Sequence, residues 1–311
     1  MYGWNPQSIV ESSESIKILE ACNVVATAIG RRSIAPIEML WKLPTKENRR
    51  ADAACAYIKD FVLKFASSRR AELLKRPDVQ ATSLLDSMIM AAQSGEDGGM
   101  SDQELHDQIA TLFFGAYDTT SGTLHFLLHY LARHPDEQEA LRRAVGARFA
   151  TRAALARAPL ADVEGIEPLC HFVDEVNRLH AIAPLIGRTA LRDVEVAGRL
   201  VPAGAEVLID SATVGRDPAY WDGQADLAEF RPARWAGRRS SPLLAPMPFG
   251  FGGRICPGRR IALAEMRAFV AAVLLSHRVA LRDPAEALSL DMLIGLNIAA
   301  GSGNIRFESL L

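Results

Sequence analysis

The stretch from Ser101 to His134 limits the fold more than any other part of this chain. It contains no proline and repeats a stripe at three- and four-residue spacing: Ile109, Leu112, Phe113, Ala116, Thr120, Leu124, Leu127, Leu128 and Leu131. Ser101-Asp-Gln-Glu104 has the form of a capping box, in which hydroxyl and carboxylate satisfy the orphan N–H groups of a helix start. Pro135 supplies the stop. The pattern predicts a helix from about Asp102 to His134, on the order of 30 residues and long enough to cross a domain through its centre. Its middle, "FGAYDTTSGT", puts glycine, an acid and three threonines where helix propensity is low. Local rules broken inside a strong helix mark a working site.

The rest of the chain arranges itself around this element. Further helices are predicted near 15–29, 49–76, 80–93, 136–149 and 166–180, with a proline-punctuated connection "SIAPIEMLWKLPTKENRR" after the first and a loop "GEDGGMS" before Ser101's helix. From Leu185 onward the segments "IGRTAL", "VEVAG" and "AEVLID" read as short strands. A proline- and arginine-rich coil follows, then a last helix from behind Gly258 to His277. The expectation is a mainly helical single domain, 1–311, with a small sheet component in its C-terminal half. A hydrophobic content of 49% is enough for a large core, and a formal charge of -2 argues against a nucleic-acid binder. The four cysteines are scattered, which excludes a disulfide scaffold and fits a reducing compartment. No apolar run reaches the ~18 residues of a membrane span, and the N-terminus lacks a signal-peptide pattern, so a cytoplasmic chain without a membrane segment is expected.

The stretch "PFGFGGRICPG" (Pro248 to Gly258) isolates Cys256 among glycines. A nucleophile, a redox thiol, a metal ligand and a buried filler are all open readings. A core cysteine does not need Gly250, Gly252 and Gly253, which let backbone approach something closely. A dinucleotide loop is weakly supported, because Ile255 stands at the third glycine and no βαβ unit surrounds it. A helix starting behind Cys256, with Arg254 beside it, favours thiolate. No papain-like signature accompanies the cysteine, and His125 and His129, four apart, lack the glutamate of an H-E-x-x-H metal site. A thiolate metal ligand remains, with the other donors coming from elsewhere, for example a porphyrin.

At this point the chain resembles the cytochrome P450 family. Phe249, Gly252, Arg254, Cys256 and Gly258 match the haem-binding signature F-x-x-G-x-R-x-C-x-G. Glu175-Val-Asn-Arg178 resembles the E-x-x-R of the K helix, "EFRPARW" the segment that adds Arg234 to a Glu-Arg-Arg triad, and "GAYDTT" the motif of the long I helix. "VPAGAEV" and "GRDPAYW" are also family-like. The resemblance implies a cytochrome P450-like helical fold and a haem b cofactor with Cys256 as iron ligand. It implies Phe249 packed over the thiolate face, amides tuning the sulfur, and Arg254 and Arg188 paired with the propionates. Glu175, Arg178 and Arg234 become a structural triad, and Asp118 with Thr119 the acid–alcohol pair that relays protons during oxygen activation. Ala116 stands where the family carries glycine beside the oxygen cleft, which implies a narrower cleft.

The implied reaction is insertion of one oxygen atom from O2 into a small apolar organic substrate, with a ferredoxin or flavin reductase as electron donor. Arg238, Arg239, Arg259 and Arg260 are then expected to receive an acidic redox partner. The resemblance starts near the family's F helix, so an N-terminally truncated fold is expected. The tryptophan–arginine propionate clamp has no counterpart, since Trp41 is followed by Thr45 at the arginine position. A peroxide-using or isomerising relative, and a non-catalytic or haem-free remnant or half of a split enzyme, are the alternatives.

Overall fold

The computed structural model describes residues 13–34, 37–75, 80–94, 100–221, 226–237, 248–283, 290–293, 297–300 and 304–310. Backbone contacts gather into two compact units, Met1–Asp118 and Thr119–Leu311.

The first unit contains α1 (Ser13–Ile34), a 3₁₀ turn (Glu38–Lys42), α2 (Lys46–Leu74), α3 (Leu84–Ser94) and the first half of α4 (Asp102–Arg133). The capping box forms as the sequence predicts. The Ser101 amide and hydroxyl donate to Glu104 Oε2 at 2.9 and 2.7 Å, and the Glu104 amide returns to Ser101 Oγ at 3.2 Å. These bonds hold the Glu104 carboxyl below its ordinary range. Thr45 caps α2 by accepting from the Asn48 amide, while Asn48 Nδ2 donates to the Leu40 and Leu43 carbonyls and ties the 3₁₀ turn to the helix. In α2 the residues Ala54, Ile58, Val62 and Ala66 recur every fourth position, so one face meets Ile18 and Cys22 of α1, Ile89 of α3 and Ile109 of α4. Asp86 is buried, and Arg69 closes on it with a two-pronged contact of 2.7 and 2.9 Å. That guanidinium, helped by Thr82, holds the carboxyl far below the usual carboxylate range against the opposing effect of burial.

The second unit begins with the C-terminal half of α4 and continues through α5 (Pro135–Arg148), α6 (Arg152–Arg157), α7 (Leu160–Glu164) and α8 (Glu167–Leu179). Four short strands come next: β1 (Leu185–Thr189), β2 (Val194–Val196), β3 (Arg199–Val201) and β4 (Glu206–Asp210). After α9 (Ser211–Val214) and α10 (Arg259–Leu274) come β5 (His277–Leu281), β6 (Leu290–Leu293), β7 (Asn297–Ala300) and β8 (Ile305–Ser309). The strands pair antiparallel as β1–β4, β2–β3, β5–β8 and β6–β7. Leu169, Phe172, Val173 and Val176 give α8 a single apolar face, packed with Leu141 and Val145 of α5, Phe126, Leu127 and Leu131 of α4, and Met266, Val270 and Leu274 of α10. A buried side chain finishes one rung of β5. Gln138 accepts from the Val279 amide at 2.9 Å and donates to the Val279 and Leu131 carbonyls at 2.8 Å each.

Some boundaries differ from the sequence reading. The last helix stops at Leu274 rather than His277, because Val279 and Leu281 turn inward alternately and the residues from His277 on pair with β8. Helix α3 begins at Leu84 instead of residue 80, with Ser83 Oγ accepting from the Asp86 amide. Helices α6 and α7, of 6 and 5 residues, are too short to leave a periodic signal. Arg238, Arg239 and most of the loop before Ser101 lie outside the described residues.

Candidate functional site

The K-type motif on α8 builds a closed charge network. Glu175 and Arg178 are one helical turn apart, and both side chains are fully buried. Arg234 and Trp235 come from the 3₁₀ turn Pro232–Trp235, set against α8. Glu175 Oε1 accepts from Arg178 Nη2 and Arg234 Nε, each at 2.8 Å, and from the Arg231 amide at 2.9 Å. Its Oε2 accepts from Arg178 Nε at 2.8 Å and Trp235 Nε1 at 2.9 Å. Further guanidinium hydrogens go to carbonyls, Arg178 to Gly215, Leu227 and Glu229 and Arg234 to Asp226 and Glu229, and Arg234 Nη1 lies 3.6 Å from the Asp226 carboxylate. The Trp221 ring lies 5.3 Å from the Arg178 guanidinium carbon and 5.9 Å from that of Arg234. A Cβ on Gly215 would sit 2.6 Å from the Arg178 carbonyl oxygen, so only glycine allows this approach. The structure thus brings together all three residues expected to act as a triad. Sequence reading missed the two tryptophans, although both lie inside the motif-like segments quoted for the family.

The cysteine loop has the opposite character. The Cys256 amide donates to the Phe249 carbonyl at 2.8 Å, which folds Pro248–Cys256 back on itself. Gly250 and Gly252 adopt φ of 69° and 65°, the left-handed region that glycine enters without strain. The turn Gly252–Arg254 and α10, which starts at Arg259, flank the thiol, and Phe249 packs on the α8–α10 core. Phe251 and Ile255 are exposed, and a Cβ at Gly252 or Gly253 would meet open space. Gly258 comes within 3.8 Å of Cys256 Sγ, measured from the Cβ it lacks. Gly250 similarly approaches Ile186 of β1, so that strand runs beside the loop, with Arg188 exposed two residues further on. Arg188 Nη1 donates to the Gly187 carbonyl at 2.7 Å.

These residues fit a haem. Among the described residues no group of three His, Cys, Asp or Glu side chains could hold a metal ion. A lone thiol on bare backbone, rimmed by exposed apolar side chains and arginine, suits a flat, apolar, metal-bearing group with carboxylate substituents.

The acid–alcohol motif lies in the middle of α4. Gly115, Ala116 and Asp118 fall in the first unit and Thr119 in the second. Within the first unit Asp118 acts on Cys22, whose thiol is pushed up to about 11, chiefly by burial and secondarily by that carboxylate. The Thr119 carbonyl accepts from Thr123 Oγ1 at 3.0 Å. His125 and His129, further along α4, are held below their ordinary range, mainly by burial. A second buried contact escaped the sequence reading. Tyr130 Oη lies 2.9 Å from His180 Nε2, and the His180 ring stacks on Phe126 at 4.4 Å. Burial, together with Arg216, His129 and Arg178, lowers His180 to about 4.

The second unit thus combines a buried Glu–Arg–Arg network with an open cysteine loop. Comparison with known proteins supplies the family. The Cytochrome P450 family model matches residues 6–299, and the chain belongs to the cytochrome P450 family. It is 32% identical over 253 residues to cytochrome P450 monooxygenase sphH of Aspergillus fumigatus, covering 79% of this chain and 45% of that protein. It is also 32% identical over 253 residues to cyclooctatin synthase of Streptomyces melanosporofaciens, covering 80% and 52%. A crystal structure of the cytochrome P450 CYP102L1 superposes with a TM-score of 0.78 at 24% identity, over 94% of this chain and 65% of that one, and shares the fold. The chain spans about half the length of the curated relatives it matches. No helix among the described residues is long and apolar enough to cross a membrane.

Proposed function

We propose that the chain is the catalytic C-terminal part of a haem-dependent monooxygenase that inserts one oxygen atom from O2 into an apolar organic substrate. The observation that carries this is Cys256, a lone thiol on a glycine turn at the start of α10. Haem b bound there supplies the one-electron and oxygen chemistry that side chains lack. Cys256 would serve as its thiolate ligand. Phe249 would pack beside the thiolate, Gly252 and Gly258 would keep the backbone close, and Arg254 and Arg188 would hold the propionates through their planar forks. Asp118 would carry a proton on its carboxylate for delivery through the Thr119 hydroxyl, with Ala116 bordering the oxygen cleft.

The names of relatives support the substrate class. One, cyclooctat-9-en-7-ol 5-monooxygenase of Streptomyces melanosporofaciens, is named for oxygenation of a hydrocarbon alcohol and is 29% identical over 252 residues. Electrons would come from a ferredoxin or flavin reductase, with Arg259 and Arg260, both exposed at the start of α10, as the docking charge. The reading is tested by incubating the haem-loaded chain with isotopically labelled O2, a surrogate electron donor and a panel of apolar substrates. One labelled oxygen atom per product molecule is expected. Product oxygen drawn from water, or no oxygenated product with haem bound, would contradict it.

A further inference from the structure

We propose that the 3₁₀ turn Glu38–Lys42 and the start of α2 form a docking surface for an anionic lipid bilayer. The surface uses none of the residues of the cysteine loop or the charge network and does not depend on the monooxygenase reading. Side chains three apart fall on one side of a 3₁₀ helix. Ile37, Leu40 and Leu43 therefore line up along one side of the turn, and Met39 shares a second with Lys42. The first three are 47% to 50% exposed, and Met39 is 72% exposed. Trp41, on the third side, is half-buried, with its indole nitrogen out of water. The backbone of this apolar tip is already paired. The Leu40, Leu43 and Thr45 amides donate to the Ile37, Leu40 and Leu43 carbonyls at 3.1, 3.3 and 2.8 Å. Asn48 Nδ2 adds a bond to each of the last two carbonyls and fixes the tip to α2. Unpaired peptide groups are what hydrocarbon excludes, so a tip paired in this way can enter the edge of a bilayer.

Charge selects the occupant. Residues 31–52 carry six lysines and arginines against three acids, in a chain whose formal charge is -2. Lys42, Lys46, Arg49 and Arg50 are exposed, and none of them forms an ion pair among the described residues. Glu47, exposed in the same turn, offsets one of the four. Arg32 is set apart, because it pairs with Asp52 at 3.7 Å. Lys46, Arg49 and Arg50 stand at i, i+3 and i+4 and so share one face of α2. Their placement works against the helix: cations gather near its positive end, while its last turn holds no base. A partner outside the helix accounts for them better than the helix does. An apolar tip beside unpaired cations supplies the two signals that hold a chain on anionic lipid, with acyl chains taking the tip and headgroups meeting the bases. A second copy of this chain on the same face would bring like charges together.

The test is flotation of the full chain with phosphatidylcholine vesicles that contain phosphatidylserine and, separately, with phosphatidylcholine alone. The anionic vesicles should bind the chain about tenfold or more tightly, and added salt should narrow the gap. Lys46→Gln should weaken binding to them about fivefold. The double variant Leu40→Ser, Leu43→Ser should weaken it about tenfold. Leu74→Ser, at an exposed leucine of the other end of α2, should leave it unchanged. Equal binding to the two kinds of vesicle, no binding to either, or anionic binding that survives both of the first two variants would overturn the proposal. So would a concentration-dependent dimer that Leu40→Ser, Leu43→Ser abolishes, since that outcome gives the face to a second copy of the chain.

Discussion

The charge network on α8 and the cysteine loop before α10 belong to the same unit and follow opposite rules. In the network, Glu175 and the Arg178 and Arg234 side chains are removed from water, and each finds partners inside the chain. In the loop, Phe251 and Ile255 are exposed and glycine backbone faces open space. The difference separates two jobs. A closed network fixes local structure, since any one missing partner strands a buried charge. An open loop adds little to its own unit and offers its surface to something else.

Substitution should therefore cost stability in one region and ligand in the other. Glu175→Ala leaves two buried guanidinium groups facing each other, and chemical denaturation should show a loss of about 3–5 kcal/mol. A comparable loss on changing the loop would break the contrast. The buried His180 adds a pH dependence to the network's side. Its folded value of about 4 lies below the ordinary 6.5. The unfolded chain therefore takes up the proton first as pH falls. Stability from this group is complete above about 6.5, declines toward pH 4 and levels off below, by at most about 3 kcal/mol. Denaturation midpoints across that range should lose this slope in His180→Phe.

Gly215→Ala drives a methyl group onto the Arg178 carbonyl and should cost about 1–3 kcal/mol. Trp235→Phe removes one donor from Glu175 and should cost about 1–2 kcal/mol, read from the same curves. Cys256→Ser is expected to have the smallest effect on apo-chain stability, within about 0.5 kcal/mol, because the thiol is only half-buried.

The sequence displayed these two regions unequally. Glu175, Arg178 and Arg234 were legible through the resemblance of their segments to the family's motifs, since E-x-x-R spacing alone recurs in many helices and only places two of them on one face. The tryptophans were quoted with their motifs, yet nothing in one sequence says that an indole N–H will reach a carboxylate 60 positions away. Gln138 was illegible for a similar reason: its role depends on Val279 arriving beside it, 141 residues later. Tyr130 and His180 meet only once α4 and α8 have packed. The long helix was readable end to end, since its cap, stripe and proline stop are all local. His277 was misassigned because the change from helical to alternating burial occurs within three residues.

Cys256 is proposed as a haem ligand held by an otherwise open loop. The assignment is tested most directly by the reduced carbon monoxide difference spectrum of the haem-loaded chain beside that of Cys256→Ser. The wild-type chain should give the Soret band of a thiolate-ligated haem, and the variant should lose it while its apo form keeps the denaturation midpoint of the apo wild-type chain. A thiolate band that persists in the variant, or no haem uptake by the folded wild-type chain, would contradict the claim.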